Sequence, residues 1–170
     1  MKRGLVAISL SIILAACTGT PEPTPESARA NPSATATLAK PEFVRAPAGT
    51  TSGAQWVTSE MAKAKADGTK LVIYVGATWC EPCQVFHRAV TEGKLDRDLA
   101  GVRFLEFDHD EHEAFLSDAD MRCESKLIPL FARPTEQGTC GTARTEGGIK
   151  GEGAVGYILP KLQAILSEAP

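Results

Sequence analysis

Two cysteines separated by two residues, Cys80-Glu81-Pro82-Cys83, are the pair whose type and spacing could carry chemistry. They follow an apolar, β-branched run, Leu71-Val72-Ile73-Tyr74-Val75, closed by Gly76, which reads as a buried strand. After them Gln84-Val85-Phe86-His87-Arg88-Ala89-Val90 holds good helix formers and no breaker. Cys80 is therefore expected at a helix N-terminus, with Cys83 about one turn inside. Pro82 is tolerated there because first-turn amides have no intrahelical acceptor to lose. Unpaired N–H groups and the positive end of the helix dipole stabilise an anion at the first cysteine. A thiolate is the attacking species in thiol–disulfide exchange. Cys83 is then close enough to attack a mixed disulfide on Cys80 and release the product. This exchange needs no cofactor.

The surrounding pattern supplies the elements that hold the pair. Ala54 to Ala66 has the spacing of an amphipathic helix, stopped by Asp67-Gly68. The strand and the cysteine-bearing helix follow, the latter running through Val90 toward Lys94. Val102 to Phe107 reads as a second strand and Glu111 to Arg122 as a polar helix. A third strand, Leu127 to Phe131, has Pro129 inside it, where the missing ladder donor marks an edge or a special peptide. A short strand or hairpin spans 139–145 and holds Cys140. A glycine-dense stretch then leads to a last helix, Leu159 to Ser167, with Pro160 in its first turn. This alternation predicts a small α/β sandwich.

The N-terminal part reads differently. Met1-Lys2-Arg3 is basic, and Leu5 to Ala16 is apolar but too short to span a bilayer comfortably. Leu14-Ala15-Ala16-Cys17 resembles the lipobox of bacterial lipoproteins. That resemblance implies a signal peptide over residues 1–16, cleaved before Cys17, with Cys17 lipidated; several acyl chains together anchor stably. An ordinary secretory signal with a chance cysteine is the plainer alternative. Thr18 stands where inner-membrane retention in Gram-negative lipoproteins would have Asp, which favours the outer membrane. Residues 17–51 are rich in Pro, Ala, Thr and Ser and read as a flexible tether of ~30 Å coil reach. Only a weak strand at Glu42 to Arg45 interrupts them. Residues 52–170 make one domain. Five cysteines less Cys17 leave an even number, as paired sulfurs in an oxidising compartment predict. A net charge of −3 with no basic stripe argues against a nucleic-acid partner.

Trp79-Cys80-Glu81-Pro82-Cys83 resembles the Trp-Cys-Gly-Pro-Cys site of thioredoxins, and Ile128-Pro129 resembles the cis-proline of the same fold. The resemblance covers residues 54–168. It implies a thioredoxin-like three-layer α/β sandwich around a central mixed sheet. It also implies that Cys80 attacks, Cys83 resolves, and Trp79, Ile128 and Pro129 flank the substrate segment, although simple packing is an equal account of Trp79. Together with the lipobox it points to a membrane-anchored thiol–disulfide oxidoreductase of the bacterial envelope. Facing the periplasm or extracytoplasmic space, it would act as a monomer on envelope proteins and be recharged by a membrane redox partner. Three departures affect its tuning. Tyr74 stands where thioredoxins carry a buried Asp, Phe104 is expected where their Lys partner sits (Glu106 could compensate, a solvated strand end being the simpler account), and Glu81 adds negative charge beside the thiolate. The last favours a reductase over a strong oxidant.

Competing readings attach to the same residues. Cys123 and Cys140 flank the proline strand, either as a second redox pair or as a structural disulfide. The structural reading is preferred because neither lies in a CxxC arrangement at a helix start. A Cys₄ zinc centre with Cys80 and Cys83 is disfavoured, because the second pair is too widely split. His87, one turn after Cys83, leaves a copper-handling protein as an alternative, and a non-catalytic tethered binding module is another. Asp108-His109-Asp110-Glu111-His112-Glu113 reads as a solvated turn and helix start, with Asp108 or Asp110 as cap.

Overall fold

The computed structural model describes residues 39–117 and 119–168. Cys17 and the expected signal segment lie outside the described residues. Nine elements follow in the order β1 (Glu42–Arg45), α1 (Gly53–Asp67), β2 (Lys70–Gly76), α2 (Glu81–Thr91), β3 (Val102–Asp108), α3 (Glu113–Leu116), β4 (Leu130–Pro134), β5 (Cys140–Glu146) and α4 (Ala154–Ser167). The five strands form one mixed sheet in the order β1-β3-β2-β4-β5. β1, β3 and β2 are parallel, whereas β4 and β5 are antiparallel additions.

Strand periodicity divides the core between the two sheet faces. Val72, Tyr74, Phe104 and Phe131 point to one face, where Phe86 and Val90 of α2 and Ile158 and Leu162 of α4 cover them. Leu71, Ile73, Leu105 and Phe107 point to the other, under Val57 of α1 and Leu116 of α3. The result is the expected three-layer sandwich around a mixed sheet. The near-continuous apolar reading of β2 follows from this double coverage.

The sheet begins earlier in the chain than the sequence reading placed the domain. Residues 42–45, inside the expected tether, pair in parallel with Arg103 to Glu106. Phe43 is the reason. Its ring stacks on Phe104 at 5.0 Å and on His87 at 4.2 Å, so burial and aromatic contact offset the ordering of a short strand. Arg103 adds a clamp, with Nε donating to Glu42 Oε1 at 2.6 Å and Nη2 to Asp67 Oδ2 at 3.1 Å.

Three other elements differ from their sequence reading. The polar helix expected over Glu111 to Arg122 is only α3, because the chain folds back after it. Met121 and Arg122 both donate to Ser117 O, Cys123 donates to Leu116 O, and Arg122 takes a left-handed φ of 55°. This turn delivers Met121 to the core and Asp120 to the start of α1, where it accepts from Ser52 Oγ and Gly53 N. The strand expected over Leu127 to Phe131 starts instead at Leu130, so Pro129 lies just before it rather than within. α4 starts at Ala154, which puts Pro160 inside the helix rather than in its first turn. Burial of Ala154 and Ile158 holds the turn ahead of the proline despite the lost hydrogen bond.

Candidate active site

Cys80 is the N-cap of α2, in an extended conformation at φ −82° and ψ 102°, and its Sγ accepts from Cys83 N at 3.3 Å. Glu81 and Pro82 open the helix, and Cys83 follows as its third residue. Cys80 and Cys83 are joined in a disulfide of 2.01 Å with a Cα–Cα distance of 5.2 Å. Both cysteines belong to the core on the α2 face. The Cys83 amide in the first turn of α2 therefore points at the sulfur that would carry negative charge after reduction.

Ile128-Pro129 is a cis peptide. Pairing of Val75 with Leu130 brings this peptide beside the end of β2, from which the chain runs directly to Cys80. Glycines then close the gap. Gly147 N donates to Pro129 O at 2.9 Å. A Cβ on Gly148 would stand 2.6 Å from Pro82 Cβ and 3.5 Å from Pro129 Cδ, so only glycine fits between the two prolines. Gly151 N donates to Glu81 Oε1 at 2.9 Å, which spends the spacer carboxylate on this loop. The glycine density of 147–156 was a visible signal without a visible purpose; the purpose is close backbone approach to Pro82 and Pro129.

Trp79 is 62% exposed beside the disulfide, and Leu127 and Ile149 are exposed apolar side chains near the cis peptide. Trp79 is fixed by a hydrogen bond rather than by burial: Nε1 donates to Asp110 Oδ2 at 2.8 Å. His109 Nδ1 lies 3.0 Å from Asp110 Oδ1. His109 first and Trp79 second hold the Asp110 carboxyl below the usual aspartate range. The charged run from Asp108 to Glu113 is thus more than a solvated turn. Asp108 Oδ1 accepts from the amides of Asp110 and Glu111, and Asp108 N donates to Nδ1 of the buried His112. That network aims Asp110 at Trp79. The cap of α3 is His112, without a side-chain bond, rather than Asp108 or Asp110.

Beneath the disulfide, Tyr74 occupies the β2 face toward α2 and is buried, with Gly76 leaving room for its hydroxyl. Burial first, then the charges of Glu106 and Asp108, push its phenol well above its ordinary value, so it stays protonated. Its β3 partner is Glu106; Phe104, where the sequence reading looked for a partner, pairs with Val72. Glu106, offered by the sequence as a compensating group but read there as a solvated strand end, is instead mostly enclosed opposite Tyr74. The Glu106 side chain is 18% exposed, with Oε1 3.5 Å from His87 Nε2.

Cys123 and Cys140 form a second disulfide, tying the turn after α3 to the start of β5. The four cysteines thus make two separate pairs rather than one cluster. Among the described residues no three of His, Cys, Asp or Glu converge as a metal-binding set.

Residues 53–132 match the thioredoxin-like family model. No curated protein matches the chain in sequence. Solved structures similar to it include a wild-type thioredoxin h of poplar, at 21% identity and TM-score 0.44, covering 76% of this chain and 99% of that one. A point-mutant thioredoxin from Halobacterium salinarum shows 17% identity and TM-score 0.41, covering 80% and 99%. Trxlp from Edwardsiella tarda shows 19% identity and TM-score 0.37, covering 63% and 86%.

Proposed function

Because this chain carries a thioredoxin-like domain over residues 53–132, we propose that it is a thiol–disulfide oxidoreductase working on envelope proteins through Cys80 and Cys83. One observation carries the reading: a CxxC disulfide at the N-cap of a helix, next to a cis X-Pro peptide across a glycine-lined seam. Cys80, whose sulfur accepts from the Cys83 amide at the helix start, is the attacking thiolate, and Cys83, one turn deeper, resolves the mixed disulfide. Trp79, Ile128 and Pro129 border the client segment. Ile128 offers backbone groups beside the disulfide, while Trp79 supplies an exposed flat surface whose angle Asp110 fixes.

The direction proposed is reduction. The negative charge of Glu81, next to Cys80 in the chain though held by the Gly151 amide, opposes strong thiolate stabilisation, which disfavours an extreme oxidant. A reductase in an oxidising compartment must be recharged, hence a membrane redox partner. Lipid on Cys17 would hold this monomeric domain at the bacterial envelope, facing the periplasm or extracytoplasmic space, with the outer membrane favoured in a Gram-negative cell.

Trapping in the native envelope tests the assignment. Cys83→Ser should accumulate clients as mixed disulfides on Cys80, and Cys80→Ser should trap few. Equal trapping by both variants refutes the roles, and no trapping by either refutes the activity. Cys17→Ala should release the protein from the membrane fraction.

A further inference from the structure

The end of β2 has a different neighbour on each side. On one side Val75 pairs with Leu130 of β4, which sets Ile128-Pro129 there. On the other, β3 pairs as far as Asp108, and the next residue, His109, donates from its amide to Gly76 O at 2.7 Å. His109 and Ile128 line one cleft of about 670 Å³ together with Val75. We propose that the His109 imidazolium, oriented by Asp110 at the mouth of this cleft, protonates the client sulfur that departs when Cys80 attacks. The proposal rests on the oxidoreductase reading and deepens it.

Asp110 is anchored twice. Its Oδ2 accepts from Trp79 Nε1 at 2.8 Å, and its amide donates to Asp108 Oδ1 at 3.0 Å. Its other oxygen, Oδ1, lies 3.0 Å from His109 Nδ1. His109 first and Trp79 second keep this carboxyl below the usual aspartate range, so it is ionised at neutral pH. An ionised carboxylate only accepts, so Nδ1 carries a proton and Nε2 is the nitrogen left to exchange one. The His109 ring stands edge-on to Trp79, with centroids 6.1 Å apart, and is 40% exposed. An imidazole oriented by a carboxylate and open on its other nitrogen is equipped to act as a general acid. The charged groups that share its cleft are Glu113 of α3, Glu124 and Lys126 of the segment after it, and Arg144 and Glu146 of β5. Arg144 is spent on the carbonyls of Arg122 and Glu124, and Glu146 accepts from Ser125 Oγ. Of this set, His109 is the one tied to Trp79, the residue before Cys80.

A departing sulfur leaves more slowly the higher the pKa of its thiol, so an ordinary client cysteine gains from a proton supplied as it goes. The Cys80 thiolate attacks one sulfur of the client disulfide. The bond from Cys80 Sγ to that sulfur forms as the client S–S bond breaks. The second client sulfur leaves with the bonding electron pair and takes the proton from His109 Nε2, becoming a thiol. The neutral imidazole regains a proton from solvent through the open cleft. Cys83 then closes the Cys80–Cys83 disulfide, so that over the full reaction the client gains two electrons and the cysteine pair loses two.

The test uses the reduced full chain carrying Cys83→Ser, which stops the reaction at the mixed disulfide, in single-turnover mixing. Two peptide disulfides are compared, one releasing an aromatic thiol of low pKa and the other an alkyl thiol of cysteine-like pKa. The aromatic thiolate departs readily unaided, whereas the alkyl one needs the proton. Adding His109→Gln should slow mixed-disulfide formation on the alkyl substrate by at least about tenfold, within the reach of general-acid catalysis. The aromatic substrate should be slowed much less, and this contrast separates proton donation from support of the fold. The ratio of alkyl to aromatic rates cancels the ionisation of Cys80. With His109 present that ratio should fall as rising pH removes the imidazolium proton, and in His109→Gln it should stay low and flat. Equal slowing on both substrates overturns the inference, as do unchanged rates on both, while the activity stands. A ratio independent of pH with His109 in place overturns it too. A chain with Cys80 intact that forms no mixed disulfide on either substrate refutes the oxidoreductase reading, and the inference falls with it.

Discussion

Replacing the second disulfide, as Cys123→Ala with Cys140→Ala, should lower stability without silencing the first. The bridge closes a sequence separation of 17 residues. Constraint of the unfolded chain by a loop of that size is worth ~3 kcal/mol. Native hydrogen bonds close to the bridge survive the change: Cys140 N still donates to Met121 O at 2.7 Å, and Cys123 N to Leu116 O at 2.9 Å. The folded state therefore loses little, and most of the effect comes from a freer unfolded state. Urea titration followed by circular dichroism, with the Cys80–Cys83 disulfide oxidised throughout, should show ~3 kcal/mol less stability in the double variant. The Cys80-dependent rate on a model disulfide should remain, because Cys80, Cys83 and α2 lie outside the loop that the bridge closes. A stability loss below ~1 kcal/mol would refute the chain-entropy argument. A collapse of turnover with stability unchanged would make Cys123 and Cys140 a redox pair instead.

Alkaline titration should reveal Tyr74. Its folded pKa lies above the unfolded value of about 10, so above that pH the unfolded chain holds fewer protons. Stability should then fall by up to ~1.4 kcal/mol per pH unit, a slope that Tyr74→Phe should remove in pH-dependent urea titrations. Asp110 titrates below the usual aspartate range, so its hold on Trp79 is kept above that range and lost as pH falls through the lowered pKa. Trp79 fluorescence should show this acid transition, and Asp110→Asn should abolish it. Gly148→Ala should push the 147–151 loop off Pro82 and Pro129 and slow client reaction at Cys80. Unchanged kinetics in that variant would mean that the seam does not position the site. Arg103→Ala should release β1, read as faster amide exchange at Phe43 and Val44 with a stability loss of ~1–2 kcal/mol.

The placement of Cys80 and Cys83 was legible because it is local. A β-branched run, a glycine, a cysteine, a proline tolerated in the first turn and a run of helix formers are neighbours in the chain, and each fixes the conformation of the next. The three-layer α/β arrangement followed from the same kind of reading, since apolar periodicity records which faces must be covered. What the tertiary structure decided depends on contacts between distant segments. β1 read only as a weak strand inside the tether because four residues carry little weight until Phe43 finds Phe104 and His87. The helix expected through Arg122 stopped early because Met121 and Asp120 are needed under and at the start of α1. Glu106 was visible as a compensating group but read as a solvated strand end; the register of β2 on β3 sets it opposite the buried Tyr74 instead. The sequence by itself determined which sulfurs could react, and only the packed sheet determined which side chains enclose them, because strand register and burial depend on segments far apart in the chain.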